Sequence, residues 1–346
     1  MAHIQINDSH FDTLKDKVVV LTGGANGIGR EAVRLFHQYG ASIIFGDINS
    51  TLGLALESEL SSPRAKFVQC DVTSYTSQLH LFRTAISLFG KIDIVVANAG
   101  ISIPRDPFAF SSIPGNGDEG DAEIEKEFPT AEIDVNLKGC LFTSRIGLFY
   151  LRKNKPTSAK SKDDIRAGER AEGGDSAGDA GGDLILVSSI AGFKESTGLA
   201  TYTASKHGVL GLLRGVRIQA QREGVRVNAV CPWMTKTAMV AGIENGWREL
   251  QLPENEPEDV AKSILICATA NRSTPSSQTN PTNHSGVKLP FSGKIVFVAG
   301  GQSYEIEDRL NELEPEWLGR ENSRVLEKGQ EFLMREGTSW DTSKGI

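Results

Sequence analysis

The sequence predicts an α/β fold in which seven parallel strands form one doubly wound sheet. Three observations predict it. Short, near-continuous apolar runs recur along the chain (VVVLT, SIIF, IDIVVA, LILV, VRVNAVC, KIVFVA), the mark of strands buried on both faces. Stretches with helical spacing separate these runs, which is the alternation of an α/β protein. The first run also ends in a glycine-rich turn that opens a helix. Right-handed crossovers then put helices on both faces and one ligand crevice at the C-terminal ends of the strands.

Composition sets the bounds. With 346 residues, 39% hydrophobic and 23% charged, the chain has the length and balance for a large soluble core. A net charge of −7 argues against nucleic acid or an anionic membrane as the main partner. Cys70, Cys140, Cys231 and Cys267 lie far apart with no CxxC, and read as reduced packing residues. The six histidines form no HxxxH or Cys/His cluster, so no metal is expected. The polar N-terminus lacks a hydrophobic signal core, and no run approaches the length of a membrane span. A cytoplasmic protein is the expectation.

Taken in order, residues 1–16 are a polar lead-in. KVVVLTGGANGIG (17–29) is a buried strand entering a glycine loop, with helical spacing from Arg30 through Val33, Phe36 and Tyr39. In a strand–loop–helix unit that holds a pyrophosphate, Gly23 permits the turn, Gly27 lets the backbone approach, and Gly29 lets the helix pack closely. The helix N-terminus, here Asn26, Gly27 and Ile28, supplies amide donors. The spacing is G-x-x-x-G-x-G rather than G-x-G-x-x-G.

The next strand, SIIFGD, ends at Asp47, 18 residues beyond Gly29. A carboxylate there accepts from both ribose hydroxyls of an adenosine and repels a 2′-phosphate. Capping of the helix over 49–60 is the competing role for Asp47. With no Arg or Lys among residues 41–50, NAD is predicted over NADP. The third strand, KFVQCDV, ends at Asp71 and Val72, and the fourth, IDIVVANAG, ends at Asn98, Ala99 and Gly100.

LILVSS, VRVNAVCP and KIVFVAGG complete the sheet, with helices over 202–222 and 259–269 between them. Strand-to-helix loops of such a sheet lie on the ligand side, and helix-to-strand loops on the opposite edge. Segments 153–182 and 271–290, rich in Gly, Ser, Pro and charge, therefore read as flexible insertions far from the chemistry. Segments 101–132, 190–200 and 233–256 border the substrate. Their Phe108, Phe110, Phe193, Trp233, Met234, Met239, Ile243 and Trp247 suit an apolar pocket. Residues 1–301 form one domain, and 302–346 an extension whose Trp317, Leu318 and Phe332 are candidates for docking on the body or on a second subunit.

The proton-transfer chemistry centres on 184–206. Tyr202 and Lys206, at i and i+4, share a helix face one turn apart. A phenol titrates near 10 in water, and a neighbouring ammonium favours its charged form. Ser189, at the end of the preceding strand, is placed to hold a substrate oxygen. Strand alternation points its neighbour Ser188 to the opposite face.

These motifs together resemble the short-chain dehydrogenase/reductase family, over residues 17–301 with two insertions. TGGANGIG is similar to its glycine motif, Asp71 to its adenine contact, and ANAG to its strand-four motif, with Ala97 where Asn is usual. Asn136 in DVNLKG, with Ser189, Tyr202 and Lys206, matches its catalytic set. The resemblance implies a Rossmann-type fold with Tyr202 as general acid/base and Ser189 orienting the reacting oxygen. It also implies that Lys206 binds the nicotinamide ribose and favours the phenolate, and that Asn136 holds a relay water. Pro232, Thr235 and Thr237 are implied contacts to carboxamide and phosphate.

One residue departs from the family. Trp233 replaces a glycine, and a positive φ there would strain an indole. Trp233 is expected to wall the substrate pocket with Phe193 and Met234. CPWMTKT and the extension resemble fungal secondary-metabolite alcohol dehydrogenases, and YTASKHG resembles prostaglandin-type hydroxyl dehydrogenases. The expected activity is NAD-dependent oxidation of a secondary alcohol on a bulky apolar molecule, in a homodimer or homotetramer. The alternatives are a ketone reductase or a non-redox cyclase or scaffold.

Overall fold

Each apolar run named above forms a strand. In chain order these are β2 (Val18–Thr22), β3 (Ser42–Asp47), β4 (Ala65–Gln69), β5 (Ile94–Ala97), β6 (Gly182–Val187), β7 (Val225–Pro232) and β8 (Ile295–Ala299). They pair in parallel in the order β4-β3-β2-β5-β6-β7-β8. Winding reverses between β2 and β5, which opens the crevice at the C-terminal ends of those strands. The computed structural model describes residues 1–103, 107–108, 125–154, 181–272 and 283–333.

Among the described residues the sheet has two strands more than the seven expected, both antiparallel and at one edge. β1 (Ala2–Ile4) pairs with β9 (Gln302–Glu305), and β9 pairs with β8. Gly300 and Gly301 join β8 to β9 with φ of 57° and 73°. A two-residue turn with both φ positive matches the twist of a hairpin, and glycine takes that conformation without strain. Residues 302–305 therefore belong to the sheet and not to the extension. The lead-in is equally structured: a 3-10 turn at Asp8–Leu14 buries His10, Phe11 and Leu14.

Helices α1 (Gly27–Gln38) and α2 (Ser50–Leu60) cover one face of the sheet, together with α7 (Pro257–Thr269). Helices α3 (Tyr75–Phe89), α4 (Gly139–Leu151) and α5 (Ala200–Arg222) cover the other. The first layer buries Val33, Phe36, Leu56, Ile264 and Leu265 against alternate strand residues such as Val19, Leu21, Ile43, Phe45 and Val96. That alternation is what a pleated strand requires. All four cysteines are buried, free thiols, and burial pushes Cys70 and Cys140 up to about 11. Opposite the crevice, buried Asp183 accepts from Arg226 (2.7 and 2.9 Å) and Arg272 (2.9 Å), tying the starts of β6 and β7 to the end of α7.

Both insertions are pinned where they leave the body. Asn154 Nδ2 donates to the carbonyls of Ile92 (2.6 Å) and Gly181 (2.9 Å). Asn271 exchanges two bonds with the Phe291 backbone, each 2.8 Å. Part of the second insertion is anchored rather than free. Ser285 forms a bridge with Gln5, and His284 is buried.

That histidine has a consequence for stability. His284 Nδ1 accepts from the Asn7 amide (3.1 Å), so Nε2 carries the proton towards Thr269 Oγ1 (3.0 Å). His10 lies beside it, centroids 5.0 Å apart, with Nε2 2.9 Å from the Thr269 carbonyl. Burial and then His10 hold His284 down to about 3, and burial lowers His10 too, with Arg272 adding to it. A depressed folded-state pKa means that the unfolded chain binds more protons below about 6.5, so stability falls as pH drops from there towards 3. The slope from His284 alone is about 1.4 kcal/mol per pH unit, or about 2 kcal/mol at pH 5. Urea unfolding at pH 7.5 and pH 5 measures this, and a His284→Gln chain losing as much between the two would refute it.

The chain divides into two units, Ala2–Glu305 and Ile306–Ile346, the latter with Met1. Within the second unit, α8 (Glu307–Glu312), α9 (Glu314–Leu318) and α10 (Arg320–Leu333) follow one another. Gly319, at φ 89°, breaks α9 from α10, and Ser323 bonds back to Glu314. Among the described residues no helix is long and apolar enough to cross a membrane.

Candidate active site

The glycine loop is held from both sides. The amides of Gly23 and Gly24 donate to the Gly46 carbonyl (2.7 and 3.1 Å), and Asn98 Nδ2 donates to the carbonyls of Thr22 and Gly23 (3.1 and 2.8 Å). Two glycines are required by close approach. A Cβ on Gly23, whose φ is 72°, would lie 2.6 Å from the Ala99 Cα, and one on Gly29 would lie 1.8 Å from the Gly23 carbonyl oxygen. Asn26 caps α1 by accepting from the Gly27 amide (2.8 Å), and the helix starts at Gly27, with Ile28 in its first turn. A cleft of about 490 Å³ opens here. It lies between Asn26–Gly27 and Thr237, flanked by Arg30, Lys236 and Arg248 as well as Glu31 and Glu244. Tyr202 is not among its lining residues.

Asp47 closes β3, and its carboxylate has work inside the protein. Oδ2 accepts from the Ala25 amide (3.0 Å) and Oδ1 from the Asn49 amide (2.9 Å). The helix cap is instead Asn49, which accepts from Leu52 (3.0 Å). Two accepted bonds leave lone pairs on both oxygens, so ribose hydroxyls still have acceptors. Asp71 holds the amide and hydroxyl of Thr73 through Oδ1 (2.8 Å each). Val72 is buried with its side chain against Gly139.

The candidate proton-transfer residues sit on three elements stitched together by side-chain bonds. Ser189 ends the β6 extension, where its Oγ accepts from Ala191 (3.2 Å). Ser188 Oγ points the other way and donates to the Lys206 carbonyl (2.9 Å), so its role is structural. Lys206 is 4% exposed, with Nζ 3.2 Å from the Val187 carbonyl and 5.6 Å from the Tyr202 ring centroid. Asn136 lies in a π-helical turn, Ile133–Lys138, that leads into α4. Its amide exchanges bonds with the Ile101 backbone (2.8 and 2.9 Å) and donates to Ser205 Oγ (3.1 Å). Gly100 lies at the junction, where a Cβ would be 3.3 Å from both Asn136 Oδ1 and Lys206 Nζ.

On the substrate side, β7 runs through Pro232, and the Trp233 amide continues the ladder to Val298 (2.9 Å). The only non-glycine residues with positive φ among those described are Asp16, Ser61 and Gln251. Trp233 therefore fits where the family has glycine, without strain. Its indole meets Trp247 edge to face at 5.3 Å, and Trp247 Nε1 donates to Pro253 (2.9 Å). Phe193 meets Phe297 edge to face at 5.9 Å, while Met234 and Thr235 are buried. Met239 and Ile243 are exposed, as is Phe108 against Phe128, and Phe110 lies outside the described residues. Buried Asn255 closes the neck of the 236–254 segment through Met234, Lys236, Val298 and Gly301.

The residues fit a dinucleotide. The loop offers the first-turn amides of α1 to a pyrophosphate. Lys206 is a buried ammonium with three donor positions and one protein acceptor among the described residues, which suits a ribose hydroxyl. Among the described residues no group of three or more His, Cys, Asp or Glu side chains could hold a metal ion.

A family model described as short chain dehydrogenase matches residues 17–158 and 176–246. The chain belongs to the short-chain dehydrogenase family. It is 34% identical over 242 residues to the short-chain dehydrogenase/reductase ascJ of Acremonium egyptiacum, covering 69% of this chain and 70% of that one. It is 28% identical over 331 residues to 5′-hydroxyaverantin dehydrogenase of Dothistroma septosporum, covering 92% and 94%. Among solved structures, 3-ketoacyl-(acyl-carrier-protein) reductase of Brucella melitensis, complexed with NADH, superposes with a TM-score of 0.58. That match has 20% identity and covers 83% of this chain and 98% of that one, so it bears on the fold alone. This short-chain dehydrogenase is an oxidoreductase. Glu132 and Thr201 were missed: buried Glu132 accepts from the Ile103 amide (2.8 Å) and from the Thr201 hydroxyl. Their one signal was position, four residues before Asn136 and one before Tyr202.

Proposed function

We propose that the chain oxidises a secondary alcohol on a bulky, mostly apolar molecule with NAD as acceptor. The observation that carries this reading is that the elements bearing Ser189, Tyr202, Lys206 and Asn136 are tied to one another, through Lys206–Val187 and Asn136–Ser205, with Lys206 Nζ beside the Tyr202 ring. Ser189 donates to the alcohol oxygen and Tyr202 takes its proton. Lys206 holds the ribose and keeps a positive charge beside the phenol ring, and Asn136 braces the strand-five loop against the catalytic helix. The nicotinamide, when bound, supplies the hydride acceptor.

The Trp233–Trp247 pair and exposed Met239 and Ile243 favour a large apolar substrate. A relative named borneol dehydrogenase, from Lavandula x intermedia, is 28% identical over 260 residues, covering 74% of this chain and 85% of that one. Its name and that of the hydroxyaverantin enzyme favour alcohols on large carbon skeletons. Assembly into a homodimer or homotetramer is part of the same proposal.

Asp47 favours NAD, because a 2′-phosphate would sit against its carboxylate. That repulsion is worth about 2 kcal/mol, roughly thirtyfold in affinity. Titrating the protein with NAD and NADP by tryptophan fluorescence tests it, with Asp47→Ala expected to narrow the gap. Equal affinities in the wild type, or tighter NADP, would transfer the reading to an NADPH-dependent ketone reductase. Incubating NAD with borneol, 1-indanol and 1-(1-naphthyl)ethanol, and following NADH absorbance, tests the substrate class.

A further inference from the structure

We propose that Glu132 is a positioning residue for this reaction, acting through Thr201 on Tyr202 and through Ile103 on the loop that Asn136 braces. It rests on the oxidoreductase reading above but uses residues outside the four-residue set.

Glu132 is 3% exposed and Thr201 is 7% exposed, so both lie in the protein interior. A carboxylate in such surroundings is costly unless its oxygens are hydrogen-bonded. Here each oxygen has a donor on a different catalytic element. Oε1 takes the amide of Ile103, two residues past the Ile101 backbone that Asn136 grips. Oε2 takes the hydroxyl of Thr201, the residue directly before Tyr202. Glu132 itself stands one helical turn before Asn136, at the entrance to the π-helical turn. One side chain thus spans all three segments that converge on the reacting oxygen: the strand-five loop, the asparagine turn and the start of α5.

The start of α5 gives the arrangement its purpose. Tyr202 lies in the first turn of a helix whose N-cap is Leu199, and no side chain caps it. First turns fray because their amides lack intrahelical partners. Leucine cannot accept a bond there, and the negative charge that favours a helix N-terminus is brought from outside by Glu132. With Thr201 tethered, the Tyr202 backbone is fixed on one side by Glu132 and on the other by Ser205 Oγ, which donates to its carbonyl at 2.6 Å. Ser205 is in turn held by Asn136 (3.1 Å). Two independent routes therefore run from the asparagine turn to the tyrosine backbone. The catalytic phenol is aimed by this closed loop of bonds rather than by its own contacts.

The test compares Thr201→Val, Thr201→Ser, Glu132→Gln and Glu132→Asp with the wild type. It uses NAD and whichever alcohol of the panel above is turned over. The expected result is a roughly tenfold lower kcat in Thr201→Val, with the KM for the alcohol and the dissociation constant for NAD unchanged. Thr201→Ser, which keeps the hydroxyl, restores kcat. Glu132→Asp keeps the charge but shortens the reach, and lowers kcat as Thr201→Val does. Combining Glu132→Gln with Thr201→Val costs no more than the worse single change, since both cut one link. A purely structural role would lower the unfolding midpoint with no such selective loss in kcat.

Amide hydrogen exchange gives a readout that needs no substrate. In Glu132→Gln, the amides at 101–103 and at 200–203 exchange faster while the core of α5 does not. If the wild type oxidises none of the alcohols, the functional reading fails, and the exchange result alone decides the positioning role. Unchanged exchange in both segments, or a Thr201→Val kcat within twofold of the wild type, overturns the proposal.

Discussion

Replacing Tyr202 by Phe lowers kcat by roughly 10²–10⁴-fold, the range that a positioned general acid or base contributes. The substitution removes the hydroxyl and little else. The Tyr202 bond to Ser205 runs through its backbone carbonyl, which Phe keeps, and the ring remains beside Lys206 Nζ. NAD binding should therefore stay near the wild-type value when followed by fluorescence, while NADH formation collapses in a stopped-flow trace. Turnover within tenfold of the wild type would remove Tyr202 from the proton-transfer role. Product formed without NADH would point instead to the non-redox reading.

Replacing Gly29 by Ala acts at the other end of the crevice and spares the chemistry. The added methyl would sit 1.8 Å from the Gly23 carbonyl oxygen and 2.5 Å from Asn98 Nδ2. Both obstacles belong to the cradle, one being backbone and the other the amide that holds the loop, so neither gives way cheaply. Overpacking of this kind costs up to about 3 kcal/mol, roughly 150-fold in NAD affinity if the loop absorbs it. Isothermal titration checks the binding, and a thermal melt shows whether the fold has absorbed the cost instead. Unchanged affinity with an unchanged melt would mean that the loop is not the cofactor cradle.

The parallel sheet was legible because strands buried on both faces leave continuous apolar runs, as in VVVLT and IDIVVA. β1 and β9 were not, since three- and four-residue edge strands carry too few side chains to show a period. The Gly300–Gly301 pair was a hairpin signal all the same. The lead-in was read as polar although Phe11 and Leu14 are fully buried, because one 3-10 turn has no repeat to recognise. Within the candidate site, the glycine loop, Ser189, Tyr202 and Lys206 were singled out from spacing together with the family resemblance. The second use of Asp47, as acceptor for Ala25 and Asn49, did not, because the sequence does not reveal which amides a folded loop turns towards a carboxylate. Glu132 was hidden for a related reason: a glutamate entering a helix normally faces water. The strain that a positive φ would bring to Trp233 does not arise, because β7 simply runs on past Pro232.

The asparagine pins at the two insertions separate architecture from chain length. Asn154 Nδ2 bonds the Gly181 carbonyl directly, so two positions 27 apart in sequence are neighbours in space. The entropy of closing a loop between two such positions grows only logarithmically, about 0.6 kcal/mol for each doubling of its length. Evolution can lengthen, shorten or rewrite it at that slow tariff while the crevice on the far side of the sheet keeps its geometry. For an engineer the same junction is a splice point, where a reporter or an affinity handle can be inserted without touching the catalytic edge.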